Sequence, residues 1–487
     1  MNRQIAILFS LFAVLFALLI VFTSRWTVLE AESLEDEPAN RRALIKEQKI
    51  PRGVIFARDG RTVLARSDPQ GSGQSRIFTR TYPTGPLFSH PVGYSFIENG
   101  RRGLEQEDNE DLAGEEDEFM SIISELESSS REGFDVVTNL DAEATRIARD
   151  GLGGRKGGVV AIEPKTGKVR VMVSIPEYDA NEIPDGFSQL NRSPDKPLLN
   201  RTTQELYPPG SSFKVVTAAA ALDSGKYRPD SIVDGSSPKT ISGAPLENFG
   251  GQDFGPVSLT DGLTNSVNTV WATVGETIGR QTLIDYMDRF GFNEDPKLDY
   301  PDFQMIPSGV RDGKGRLLGG EAGFDVGRVA IGQGGLEGAI QTSPLQMALV
   351  AAAIGNEGRL MKPRLTDRVV RKDGRVKDRV EPDLQSEVMK PESANQLTDM
   401  MGRVVEEGTG TAAALSGVQM AGKTGTAEVG ENRELTQPWF IGFAPIDNPR
   451  IAVAVTAERQ PPGSSGGQTA GPIAKAVVES LLRGGGG

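Results

Sequence analysis

Apolar and polar positions divide this chain into three stretches. Residues 5–22 run for eighteen positions without a charge, interrupted by one serine and flanked by Arg3 and by Arg25-Trp26. That is just long enough to cross a bilayer. From 26 to 153 the chain is polar and irregular. Within it, residues 52–65 predict two short strands joined at an Asp59-Gly60 turn. Residues 105–127 are strongly acidic, with a helical segment expected at 119–128, and read as a solvated face without chemistry. Asn139-Leu-Asp141 then caps a helix leading onward. At Gly157 the pattern changes. Residues 157–174 predict two strands around a Pro164-Lys-Thr-Gly167 turn, helical segments fill the middle, and strands return at 418–429, 439–444 and 451–457, the last two joined by an Asp447-Asn-Pro449 turn. A closing helix is expected at 470–482 and a disordered glycine tail at 484–487. Strands at both ends of a unit with helices between them predict one antiparallel sheet closed by its own termini, an α+β architecture.

Composition narrows the chemistry. The 487 residues suit two domains after the N-terminal run. A net charge of −13 without a basic stripe excludes nucleic acid as a partner. There is no cysteine and only one histidine, His90, so disulfides, thiolate chemistry and cysteine- or histidine-bound zinc are excluded. No D-x-D-x-D-G calcium loop occurs, and His90 reads as a loop or packing residue. The apolar run is long for a signal peptide and is followed by no small-x-small cleavage site, which favours an uncleaved anchor. Arg3 and Arg25 nearly balance, but the short N-terminus and the acidic stretch 30–37 place the N-terminus in the cytoplasm and the bulk outside.

One stretch carries candidate chemistry by itself. Tyr207-Pro-Pro-Gly-Ser211 interrupts the chain, and the small and apolar residues that follow it to Gly225 predict a helix with Ser211 at its N-terminus. Lys214, three residues on, shares a face with Ser211. A serine hydroxyl needs a base to become a nucleophile. With no histidine nearby, that base is an amine, which serves if burial or a neighbouring cation lowers its pKa. The alternative is a capping serine beside a surface lysine. Two further motifs shift the balance. Ser266-Val-Asn268 places a hydroxyl and an amide on an expected loop, and Lys423-Thr424-Gly425 lies in a strand pattern, where a glycine marks close approach by a ligand or another backbone. In this order, S-x-x-K, S-x-N and K-T-G form the set of serine β-lactamases and penicillin-binding proteins.

On these residues the chain resembles a class B, monofunctional penicillin-binding protein, a peptidoglycan D,D-transpeptidase of elongation or division. The resemblance extends to Arg52-Gly-Val-Ile, Gly103-Leu-Glu105, Ile331-Gly-Gln-Gly334, residues 342–348 and Trp439-Phe-Ile-Gly-Phe-Ala-Pro445. One departure is Asp108, where relatives often carry an aromatic before the asparagine. The resemblance implies an anchor over 1–24, an irregular β-containing pedestal or dimerisation-like domain over 25–153, and over 154–483 a β-lactamase-like transpeptidase domain with helices flanking its sheet. It also implies roles. Ser211 attacks the carbonyl between two terminal D-alanines, Lys214 takes its proton with Lys423 helping to keep that amine neutral, and Ser266 relays the proton to the leaving amine. Asn268 binds the substrate amide, the segment Lys423-Thr424-Gly425-Thr426 receives the carboxylate, and the N–H groups of Ser211 and Thr426 form the oxyanion hole. Gln333 and its flanking glycines either line the cleft or form a plain loop. No metal or organic cofactor is implied, β-lactams stall the acyl-enzyme, and an integral-membrane glycan polymerase is the expected partner.

Other readings use the same residues. A D,D-carboxypeptidase differs only in using water as acceptor, and a catalytically dead scaffold is opposed by the intact motif residues. A secreted β-lactamase rarely carries an anchor and a pedestal. A membrane sensor needs a cytoplasmic domain where four residues precede the apolar run, and a bifunctional synthase needs more chain before Gly157.

Overall fold

A strand covered on both faces reads as an unbroken apolar run, and the core of this molecule is built from such strands. The computed structural model describes residues 2–26, 48–72, 76–114, 132–318, 323–335, 338–430 and 434–484. The helical segment expected at 119–128, the acidic stretch 30–37 and the tail beyond Gly484 lie outside them. Five strands form the central sheet in the order Ala421–Val429, Leu435–Ala444, Ile451–Ala457, Gly157–Ile162 and Val169–Ile175. Every pairing is antiparallel. Strand Ile451–Ala457 pairs with Gly157–Ile162, so the sheet is closed by the two ends of its unit, as expected. Strand Leu435–Ala444 begins earlier than the pattern predicted, because Pro438 argues against a strand. The ladder tolerates it at a position where no N–H is needed.

Side chains alternate across this sheet. Val159, Ala161, Val453 and Val455 face one layer with Ala148, Leu152, Ile473 and Val477, which lie on helices Ala142–Leu152 and Gly471–Arg483. Val160, Ile162, Ala452 and Ala454 belong to the opposite layer, which holds helices Lys214–Asp223 and Pro344–Gly355. All ten residues of the first of these helices and all twelve of the second are buried. A helix apolar all round has no solvent face to offer, which is why neither is amphipathic.

The second sheet has six strands in the order Val376–Arg379, Thr366–Val370, Asp135–Thr138, Ile55–Phe56, Val63–Gln70 and Ile77–Thr81. The hairpin expected around Asp59-Gly60 is present. Two of the six strands come from residues after 360, from within the stretch read as transpeptidase domain, so the chain returns to complete this second sheet. Beside it, Glu105 is wholly buried and bound by Arg52 (3.1 Å) and Arg80 (2.5 Å), while Arg52 also donates to Asn109 at 2.8 Å. Burial pushes the Glu105 carboxyl up, but the two guanidinium groups outweigh it and hold it below its ordinary value. His90 is buried against Tyr178, a packing residue as expected.

Asp108 sits where the second sheet meets the rest of the molecule. It accepts the Thr366 hydroxyl at 2.9 Å, and Asp299 accepts the N–H groups of Leu365 (2.5 Å) and Thr366 (2.8 Å). Burial pushes Asp299 up to about 7 against the pull of those bonds. Burial, and then the Asp299 charge, pushes Asp108 well above the carboxylate range. A carboxyl raised in the folded state contributes stability below its unfolded pKa and loses it as pH climbs through the folded one. Between about pH 4 and about pH 7 these two carboxyls therefore lower the unfolding midpoint. Asp108→Asn, which keeps a partner for Thr366, reduces that fall by a few degrees. An unchanged fall in thermal melts across this range would mean that the pair does not govern it.

Helix Asn2–Ser24 has 23 residues, long and apolar enough to cross a membrane, and its apolar side chains are exposed.

Candidate active site

Gly210–Phe213 forms a 3₁₀ turn, and the α-helix starts only at Lys214. Ser211 therefore lies on the turn before the helix expected to carry it. The Lys214 N–H donates to the Ser211 carbonyl, and the side-chain bond at this turn is made by Ser212, whose hydroxyl donates to Pro209 O at 2.8 Å. The Ser211 hydroxyl makes no hydrogen bond among the described residues. Neither this turn nor the helix after it has a capping side chain, so Ser211 does not act as a cap.

Lys214 has no exposed surface. Its Nζ donates to Ser266 O at 2.7 Å, to Asn268 Oδ1 at 2.7 Å and to Ser266 Oγ at 3.3 Å. Burial, and then the nearby Lys423 ammonium, holds this amine well below the usual lysine range. Lys423 is equally buried, with Nζ on Thr424 O at 3.1 Å, and burial brings it down to about 7. Two of the three motifs are therefore joined by direct bonds. Ser266 holds φ at +58°, a left-handed conformation that side chains adopt at a cost and that clusters at functional sites. Asn268 is not on a loop as expected but opens helix Asn268–Ile278.

The third motif is placed by backbone. A Cβ on Gly425 would lie 2.5 Å from Pro209 O and 3.1 Å from Ser212 N, so this mid-strand glycine admits another backbone. Gly210 abuts Thr426 in the same way. Thr426 pairs with Pro438, which has no N–H, so this position lies between ladder bonds. The N–H and carbonyl of Thr426 thus face the open edge of the sheet, where the Ser211 turn sits. Lys423 and Gly425 share one face of the strand and Thr424 and Thr426 the other. The Thr424 hydroxyl is 2.6 Å from Thr409 Oγ1, and Thr426 Oγ1 accepts the Gly466 N–H at 3.2 Å.

The Penicillin binding protein transpeptidase domain matches residues 157–479. The chain belongs to that family. The Penicillin binding protein A dimerisation domain matches residues 52–136, so the class B resemblance holds in both halves. Peptidoglycan D,D-transpeptidase PbpA of Mycolicibacterium smegmatis is 34% identical over 496 residues, covering 96% of this chain and 97% of its own. Penicillin-binding protein A from M. tuberculosis, solved as a ceftriaxone acyl-enzyme complex, superposes with a TM-score of 0.80 at 30% identity, covering 90% of this chain and 100% of that one. The D,D-transpeptidase domain of a peptidoglycan glycosyltransferase from Eggerthella lenta gives 0.77 at 31% identity, covering 90% and 99%.

Other segments of family resemblance in this penicillin-binding protein cradle the Ser211 turn. Tyr207 exchanges backbone bonds with Thr342, and Gly210 N donates to Gly332 O at 2.9 Å. A Cβ on Gly332 would lie 1.8 Å from Gly210 O, so Gly332 braces the turn by close backbone approach. Trp439 Nε1 donates to Pro208 O at 3.0 Å. Thr409, Gly466 and the loop at Glu247-Asn248 also hold the motif residues, and the sequence reading missed them. They act through loop positions and backbone groups, which leave no periodicity to detect.

Proposed function

We propose that this chain is a membrane-anchored, serine-type peptidoglycan D,D-transpeptidase. The observation that carries the proposal is the fully buried Lys214 amine, bonded to both Ser266 and Asn268 one turn from the unbonded Ser211 hydroxyl. Ser211 Oγ forms an ester with the carbonyl of the penultimate D-alanine as Lys214 takes its proton, and the amide to the terminal D-alanine breaks. The proton returns through Ser266 to the departing amine. Asn268 has a second Nδ2 hydrogen for the substrate amide. The segment Lys423-Thr424-Gly425-Thr426 receives the carboxylate, and the N–H groups of Ser211 and Thr426 stabilise the oxyanion. An amine of a neighbouring stem peptide then displaces Ser211, which completes the cross-link. A β-lactam forms the same ester but cannot leave.

The apolar helix supports a single-pass anchor, with the N-terminus in the cytoplasm and both folded regions outside. The region before residue 153 serves as pedestal and dimerisation domain, and it offers a surface to an integral-membrane glycan polymerase. The test is intact mass of the full chain in detergent mixed with benzylpenicillin. A stable one-to-one adduct mapped to Ser211 is expected. Rapid adduct loss with antibiotic hydrolysis would make the protein a β-lactamase, and no adduct would make it a scaffold.

A further inference from the structure

Two bonds decide which way the Asn268 amide faces. Its Oδ1 accepts from Lys214 Nζ at 2.7 Å, and its Nδ2 donates to Glu247 O at 3.1 Å. Turning the amide over would set donor against donor and acceptor against acceptor. The second bond requires the Glu247 carbonyl to be held in place, and Glu247 is itself exposed.

The neighbouring residue supplies the hold. Asn248 is only 4% exposed. Its Nδ2 donates to Gly235 O and Gln252 O, each at 3.0 Å. Its Oδ1 accepts the Thr269 N–H at 3.0 Å and the Thr269 hydroxyl at 3.2 Å. Its own N–H donates to Ser237 Oγ at 3.0 Å. Helix Asn268–Ile278 has Val267 at its N-cap and no capping side chain there, so Asn248 supplies from a distant loop the acceptor that the first turn lacks. Apolar packing does not fix this loop at its tip. Phe249 is 89% exposed, and Gly250 and Gly251 follow it in left-handed conformations with open space where a Cβ would lie. Leu246, buried and paired with Lys239, anchors the chain just before the loop, and within the loop the anchor is the buried Asn248 side chain.

We infer that Asn248 is a positioning residue for acyl transfer, clasping the Glu247 carbonyl onto Asn268 so that the amide presents its oxygen to the Lys214 amine. This rests on the acyl-enzyme reading of Ser211. When the clasp is lost the amide turns, and Lys214 loses an acceptor that keeps its nitrogen in line with Ser211 and Ser266.

A double-mutant cycle tests the inference, with benzylpenicillin acylation of the full chain as the readout. Asn248→Ala lowers acylation efficiency about tenfold to a hundredfold, the scale of a misplaced reacting group. In an Asn268→Ala background the same change has an effect within about twofold of none, because the residue it acts through is gone. Thr269→Val, which removes one hydroxyl bond and keeps the shape, gives a smaller loss that also disappears in that background. It serves if Asn248→Ala does not fold. Loss of the Asn268 oxygen removes a stabilising partner of the Lys214 ammonium, whose charged neighbour is Lys423. The acid limb of the acylation profile therefore moves to lower pH in Asn248→Ala. Equal losses in both backgrounds, or a lower rate with an unmoved pH profile, would overturn the positioning role and leave Asn248 a stabilising residue. No adduct on the wild-type chain would overturn the acyl-enzyme reading, and this role with it.

Discussion

Ser211→Ala forms no covalent adduct with benzylpenicillin and retains the unfolding midpoint of the parent chain. The first half follows from the bond being made, since alanine has no atom to form the ester. The second half follows from the turn. The Ser211 hydroxyl makes no bond among the described residues, whereas Ser212 ties the turn to Pro209 and Trp439 ties Pro208 to the sheet. Removing the Ser211 oxygen therefore leaves no polar partner unsatisfied, and a large drop in stability is not expected. Intact mass and a thermal melt on the same sample check both halves. An adduct persisting at another residue would remove Ser211 from the nucleophile's role. An unstable variant with no adduct would leave loss of fold as the cause, and Ser211→Gly or Ser211→Cys then separates the two.

Lys214→Ala slows acylation by about a hundredfold to ten-thousandfold, the range of a lost general base. The amine is suited to that work because burial and then Lys423 disfavour its charged form, so it gives up its proton more readily than an exposed lysine. Acylation by the parent chain accordingly rises with pH as Lys214 loses its proton, and the variant loses that limb. Lys214→Arg does not rescue it, because a guanidinium stays protonated and cannot accept a proton. The substitution also costs stability, since Ser266 O and Asn268 Oδ1 lose their shared donor. Stopped-flow acylation across pH, on samples shown to be folded, measures the effect. Near-normal rates with the limb intact would mean that the proton leaves Ser211 by another route.

The three motifs were legible because each is a few residues long and its chemistry depends on residue type. The expectation that Gly425 admits close approach was right, and the approaching group is the backbone at Pro209 and Ser212. What the motifs could not convey was how they are held. Ser212 and Ser211 are equivalent on a helical pattern, and only the 3₁₀ turn separates the bonded hydroxyl from the unbonded one. Asn268 looked like a loop residue because its helix lacks a capping side chain of its own, the cap arriving from Asn248. Strand 435–444 was read short because Pro438 normally argues against a ladder, and only the register shows that it needs no donor there.

By itself the sequence determined the anchor-length apolar helix, the hairpins at Asp59-Gly60 and at 157–175, the closure of the central sheet by its own ends, and the three motifs. These are matters of local periodicity, turn chemistry and residue type. The tertiary structure alone decided that strands Thr366–Val370 and Val376–Arg379 complete the second sheet, that Asp108 and Asp299 share Thr366, and that Lys214 and Lys423 are both sealed from water. Periodicity records that a face will be buried, but the segment that covers it lies hundreds of residues away, and that pairing sets the desolvation on which the amine's basicity depends.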